Sequence, residues 1–139
     1  NSVRLWGYML YENLKITSDG VAYMILNAET ARKFDLKEGE TEGLVNEPLK
    51  IDNVRMSIFL KEDGDGFYRV SIRTKKGVSA VKCSASYFHG GGHENASGGR
   101  LFFKPVDGRP ADISAPEEAE KYIIDKTSVY FADGSYESR

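Results

Sequence analysis

The chain has one cysteine, Cys83, so no disulfide can close within it, and a reducing compartment, the cytoplasm, is the expected setting. In its small-residue segment Cys83 reads as a buried packing thiol rather than a nucleophile. Histidine is nearly as scarce, with only His89 and His93. Two imidazoles without a cysteine pair fall short of the four-ligand sets that hold structural zinc. No apolar run approaches the about 20 residues that a membrane-crossing helix needs, so no membrane partner is expected. No secretory leader is legible, because Asn1-Ser2-Val3-Arg4 runs straight into patterned sequence. The Asn95-Ala96-Ser97 sequon then carries no meaning. Neither charge dominates: 19 basic against 21 acidic residues leave a net charge of −2. That balance argues against a general nucleic-acid binder but not against a pocket for a phosphate or two. Internal repeats and low-complexity stretches are missing as well.

The 139 residues, 40% hydrophobic and 29% charged, suffice for one globular domain with a real core. Val3 to Leu14 is apolar nearly all round, the mark of a helix buried from several sides or lacking a partner. The chain is therefore expected to start inside a larger protein; a docked N-terminal helix in a complete small domain is the alternative. Val21–Leu26 reads as a short buried strand. Asn27 caps a helix over Ala28–Phe34, and Gly39 ends that region. A short helix is expected over Thr41–Val45, stopped by Pro48. Val54, Met56, Ile58 and Leu60 alternate with Arg55, Ser57, Phe59 and Lys61, which is strand periodicity. After the turn Asp63-Gly64-Asp65-Gly66, Tyr68, Val70 and Ile72 alternate with Arg69, Ser71 and Arg73 on a return strand. Ser79–Phe88 reads as a small-residue helix ending at three glycines. Leu101–Phe103 follows as a buried strand. Ser114 and Glu117 form a capping box, with Pro116 in the first turn of a helix carried on to Ile124. Beyond Thr127 a short strand at Val129–Phe131 and a loose tail are expected. Strands interleaved with helices over this length predict an α/β (α+β) fold, a single domain with a mixed β-sheet flanked by helices.

The densest chemistry lies in Gly90-Gly91-Gly92-His93-Glu94-Asn95-Ala96-Ser97, followed by Gly98-Gly99. Three glycines free the backbone to approach a ligand, and N–H groups gathered in such a turn form an anion-binding concavity. His93 is a candidate charged donor to a phosphate oxygen, or a general acid toward a leaving oxygen. Arg73 closes a strand that leads through the Ser79–Phe88 helix into this turn, and its planar fork suits phosphate; a solvated strand face is its bland reading. Three other constellations are weaker. Asp63-Gly64-Asp65-Gly66 lacks the remaining ligands of a calcium loop and reads as a hairpin turn. His89 and His93 have the spacing of helical metal ligands, but the glycines between them disfavour a helix. His89-Gly90-Gly91-Gly92 matches an esterase oxyanion-hole signature, yet the chain has no G-x-S-x-G elbow.

Three blocks together resemble the C-terminal, DHH-associated domain of the DHH phosphoesterases, in particular the oligoribonucleases (nanoRNases) that also dephosphorylate 3′-phosphoadenosine 5′-phosphate. They are Thr41-Glu42-Gly43-Leu44-Val45-Asn46, Val70-Ser71-Ile72-Arg73-Thr74, and Tyr87 through Gly99. The resemblance runs from about Leu5 to about Ile124 and implies a division into a connector (1–16), a DHH-associated substrate-binding domain (17–127) and a tail (128–139). It implies that Arg73, Gly90, Gly91, Gly92 and His93 bind substrate phosphate, with Asn95 and Ser97 as supporting polar residues. It also implies a partner, the protein's own N-terminal DHH domain, holding two divalent metal ions, usually manganese. No Asp-His-His triplet occurs here, so no metal site is expected in this chain, and the fragment is expected to be inactive by itself. The implied substrate is a short oligonucleotide or nucleoside phosphate. Alternatives are an exopolyphosphatase-type or cyclic-dinucleotide-cleaving relative, a non-catalytic RNA-binding module, and a homodimer formed through the opening helix. His89, the basic Thr74-Lys75-Lys76-Gly77 and the long tail depart from the family pattern.

Overall fold

A computed structural model describes residues 2–138; Asn1 and Arg139, the outermost residues of the expected connector and tail, lie outside the described residues. Six strands form one mixed sheet in the order β1-β2-β3-β4-β6-β5. They are β1 (Lys15–Ile16), β2 (Val21–Leu26), β3 (Met56–Asp63), β4 (Phe67–Thr74), β5 (Gly91–His93) and β6 (Ala96–Phe102). Strand β2 runs parallel to β3, and every other neighbouring pair is antiparallel. The parallel pair needs a long crossover, supplied by α2 (Ala28–Lys33) and a 3₁₀ stretch over Leu44–Lys50. Among the described residues no helix is long and apolar enough to cross a membrane.

Alternation along β3 and β4 divides the apolar residues between two cores. Met56, Ile58, Leu60, Val70 and Ile72 meet α3 (Ala80–Tyr87) and α4 (Ala119–Ala132) on one face. Met24, Leu26 and Phe59 pack on the other face against Leu5, Met9, Leu44 and Val45. Strand β2 contributes to both cores, which is why Val21–Leu26 reads as a continuous apolar run. The second face is covered over β2 and β3, and Leu44–Lys50 reaches onto β4, where Ser71 and Arg73 are half-buried. Over the Arg69 end of β4, and over β6 and β5, it stays open, and the exposure of Arg69, Arg100 and His93 follows from that.

The opening segment is helical, as α1 (Ser2–Tyr8) continuing into a π-turn over Met9–Asn13. Leu5 and Met9 are fully buried, while Val3 and Tyr11 are 79% and 86% exposed. The segment thus docks one stripe and leaves apolar side chains outward. Asn13 anchors its end, donating to Ile25 O (3.0 Å) and accepting from Ile25 N (2.9 Å).

Four sequence expectations change outside the glycine segment. The helix at Thr41–Val45 is instead the 3₁₀ run Leu44–Lys50, entered through Gly43 at φ +88°, and Pro48 lies inside it. A chain of i→i+3 turns loses little to one missing N–H. The capping partner of Ser114 is Glu118, not Glu117: the Ser114 N–H donates to its carboxylate at 3.1 Å. A 3₁₀ turn over Pro116–Glu118 delays α4 and shifts the pairing by one residue. The strand expected at Val129–Phe131 is helical, because α4 continues to Ala132. Tyr130 and Phe131 are buried there, and the Tyr130 hydroxyl donates to Ser79 O at 2.6 Å. Nor is the tail loose: Ser79 N donates to Tyr136 O (2.8 Å), Ser138 N to Gly77 O (3.1 Å), and Lys82 Nζ to Glu137 O (2.7 Å).

Candidate functional site

Helix α3 is capped by Ser79, whose hydroxyl accepts from Lys82 N, and ends at Tyr87. His89 follows with φ +55°. The three glycines do not curl into an anion-binding turn. Gly91–His93 is extended as edge strand β5, paired with β6. Successive N–H groups of a strand point to opposite edges, so they do not converge on one anion. β6 begins at Ala96, five residues before the expected strand. Close approach explains most of the glycines. A Cβ on Gly90 would lie 1.8 Å from Gly98 O, and one on Gly99 would lie 2.3 Å from Phe88 O. Gly92 combines φ +140° with a 2.8 Å clash against Ser97 Cα. Gly91 is different. A Cβ there meets nothing within 4 Å, and its φ lies outside the left-handed region.

Register then decides which side chains share the open face. Arg73 pairs with Ala96, and Ala96 with His93. Directly opposed residues project to one side, so Arg73 and His93 stand on the same face, about 10 Å apart at the backbone, two strand spacings. The next row is Ser71, Gly98 and Gly91, and beyond it lie Arg69 and Arg100. The middle row is low, with two glycines and a serine, and cations rise on both sides. Arg73 Nη1 donates to Ile72 O (2.9 Å) and Ser97 O (3.3 Å). Its Nε and Nη2 donors are left over, and among the described residues no carboxylate pairs with it. His93 is exposed and has no partner among the described residues. Arg69 is tied to Asp63 (3.1 Å), and Arg100 lies over the Phe67 ring at 4.8 Å.

The other expected site residues point elsewhere. Ser97 is turned to the buried face, its hydroxyl 2.5 Å from that of Ser84. Asn95 fixes the β5–β6 turn, donating to Thr74 Oγ1 (3.0 Å), Lys75 O (3.2 Å) and Val78 O (3.3 Å). Gly90 and Gly92 serve packing. Of the expected site residues, Arg73, Gly91 and His93 therefore remain on the open face. Sequence reasoning missed Arg100 and Gly98; the alternation Ala96, Gly98, Arg100, Phe102 signals them once the strand is known to start at Ala96.

His89 does not join His93. Its Nε2 lies 2.8 Å from Asp112 Oδ1. Among the described residues no three His, Cys, Asp or Glu side chains cluster as a metal ion requires. Burial pushes the Cys83 thiol up to about 12, so it stays protonated near neutral pH. A hollow of about 600 Å³ opens beside β1 and β2. Its lining carries five glutamates, including Glu12, Glu62 and Glu120, against Lys15 and Arg32. That excess repels anions, so the open cationic face is the better phosphate site.

The DHHA1 domain family model matches residues 18–102. The chain is 39% identical over 93 residues to the probable bifunctional oligoribonuclease and PAP phosphatase NrnA of Streptococcus mutans, a match covering 67% of this chain and 29% of that protein. It is 30% identical over 102 residues to the bifunctional oligoribonuclease and PAP phosphatase NrnA of Bacillus subtilis, covering 73% of this chain and 31% of that one. The chain thus spans about three tenths of these relatives. Among solved structures, an exopolyphosphatase-related protein from Bacteroides fragilis superposes with TM-score 0.77 at 37% identity, over 93% of this chain and 34% of that one. A pGpG-specific phosphodiesterase from Vibrio cholerae shares the fold, with TM-score 0.61 at 14% identity over 95% of this chain and 40% of the other.

Proposed function

The chain belongs to the DHHA1 domain family, and we propose on that premise that it is the substrate-gripping domain of a phosphoesterase acting on short oligoribonucleotides or 3′-phosphoadenosine 5′-phosphate. One observation carries the reading: Arg73 and His93 share one cross-strand row without a carboxylate partner, beside Gly91, which no protein atom requires to be glycine. Two cationic or hydrogen-bonding side chains flanking a bare glycine row form a cradle into which a phosphate can settle against the backbone. Arg73 supplies the fixed charge. His93 supplies a donor whose protonated form an adjacent phosphate would favour.

Among the described residues no side chains cluster as a metal ion requires, and the Cys83 thiol is buried and stays protonated. We therefore assign hydrolysis, with its divalent metal ions, to a DHH domain outside this chain, and to this chain the orientation of the phosphoester. By itself the chain binds and does not cut. A relative acting on inorganic polyphosphate is the second reading, favoured by the likeness to the exopolyphosphatase-related structure. The test is calorimetric titration with 3′-phosphoadenosine 5′-phosphate. Arg73→Ala and His93→Ala should each weaken binding about ten- to a hundredfold, the value of one charge-assisted hydrogen bond. Unchanged affinity in both variants would remove the assignment.

A further inference from the structure

Past the low glycine row, the same open face ends in a small hollow of about 240 Å³ lined by His89, Phe102, Val106, Arg109, Pro110, Ala111 and Asp112. We infer that this hollow is a nucleobase subsite, filled by one base of an oligonucleotide of which a more distant phosphate rests at Arg73 and His93. The inference rests on the phosphate-binding reading above and adds where a base of that ligand is held.

Size is the first argument. The hollow is smaller than the about 300–1,000 Å³ of sites for drug-sized ligands, and it suits a single planar ring system. Its lining is the second. Val106, Pro110 and Ala111 are apolar, and the Phe102 ring meets the His89 imidazole edge-on at 5.6 Å between centroids. Aromatic faces of this kind receive any base without reading its edge. The polar groups are few and fixed. Asp112 Oδ2 accepts the Phe102 N–H at 2.8 Å, while Oδ1 holds His89 Nε2 at 2.8 Å. An acceptor-only carboxylate puts the proton on Nε2 and leaves Nδ1 free to bond a ligand. The wall is preorganised too. Val106 and Arg109 exchange backbone hydrogen bonds (3.2 and 2.8 Å) across Asp107-Gly108, both at positive φ, as a tight hairpin turn. His89 holds φ +55°, a strained position for a non-glycine residue, in place beside Asp112.

Continuity with the phosphate face is the third argument. Gly98, Arg100 and Phe102 follow one another on the open side of β6, so the hollow begins about 14 Å along the strand from the glycine row. Arg100 stands between, and Arg109 on the rim has no side-chain hydrogen bond or ion pair among the described residues. A chain of nucleotides laid along this line meets cations at Arg73 and His93, at Arg100 and at Arg109, and an aromatic slot at its end. Polyphosphate would use the cations and leave the slot unfilled. The slot also reaches outside the stretch matched by the family model, since residues 106–112 follow its last matched residue.

The test is amide NMR of the labelled chain titrated with a 5′-phosphorylated diadenylate and, separately, with tripolyphosphate. Both should shift Gly91, His93 and their β6 neighbours; only the dinucleotide should shift Val106 to Arg109, Ala111 and Asp112. Ala111→Trp, which fills the hollow, should weaken the dinucleotide at least tenfold and leave tripolyphosphate unchanged. Arg109→Glu on the exposed rim should act in the same direction without touching the core. Dinucleotide shifts confined to the glycine row, or undiminished dinucleotide affinity in both variants, overturn the base subsite while the phosphate reading stands. No shift with either ligand overturns the phosphate reading, and this inference with it.

Discussion

Gly91→Ala separates what the fold needs from what a ligand needs. The added Cβ meets no atom within 4 Å, and the backbone there is not left-handed. Removing a glycine from an extended segment lowers the entropy of the unfolded chain and stabilises by about 0.4–1 kcal/mol where the new residue fits. For a chain of this size that raises Tm by about 1–4 °C. The methyl group, however, stands on the open face in the row between Arg73 and His93 on one side and Arg69 and Arg100 on the other. A phosphate seated against the backbone must retreat, lengthening at least one charge-assisted bond worth about 1.5–3 kcal/mol. Affinity for 3′-phosphoadenosine 5′-phosphate should therefore fall about ten- to a hundredfold while Tm holds or rises. Thermal unfolding followed by circular dichroism, with calorimetric titration, reads both. A variant with higher Tm and unchanged affinity would refute the reasoning, since nothing would then approach Gly91.

Gly90→Ala is the opposite case. Its Cβ would sit 1.8 Å from Gly98 O, so the β5–β6 pairing should be lost, seen as a fall in Tm and fast exchange of the β5 amides; native Tm would contradict the packing account. Tyr130→Phe removes the donor to buried Ser79 O and should cost about 1–3 kcal/mol in urea unfolding; a loss under a few tenths would show that this carbonyl finds water. Lys15 and Tyr23 both donate to Glu120 (2.8 and 2.7 Å) and hold its carboxyl below the ordinary 4.5. A carboxyl depressed in the folded state adds stability that is present above its ordinary value and drains away as pH falls through the folded one. Glu120→Gln should accordingly flatten the acid-side decline of Tm, and an identical decline would remove the linkage.

The β3–β4 hairpin was legible because Val54–Lys61 and Tyr68–Arg73 alternate with the period of a strand and Asp63-Gly64-Asp65-Gly66 turns between them. The same alternation put Arg69, Ser71 and Arg73 on one polar face. Strand β5 was illegible because glycines carry no periodicity, and Ser97-Gly98-Gly99 hid the start of β6 in the same way. Without that start, Ser97 could not be turned inward nor Arg100 outward, since a shift of one residue exchanges the two faces. The last turns of α4 hid for another reason. Val129-Tyr130-Phe131 favours a strand by local propensity, and burial of Tyr130 and Phe131 against Ser79 and Tyr136 overrides it.

The most direct test of the phosphate face is a crystal structure of the chain with 3′-phosphoadenosine 5′-phosphate. A phosphate group should lie over the Gly91–Gly98 row, its oxygens about 3 Å from the Arg73 guanidinium and the His93 imidazole. A ligand seated instead in the glutamate-lined hollow beside β2, with Arg73 and His93 untouched, would contradict the account.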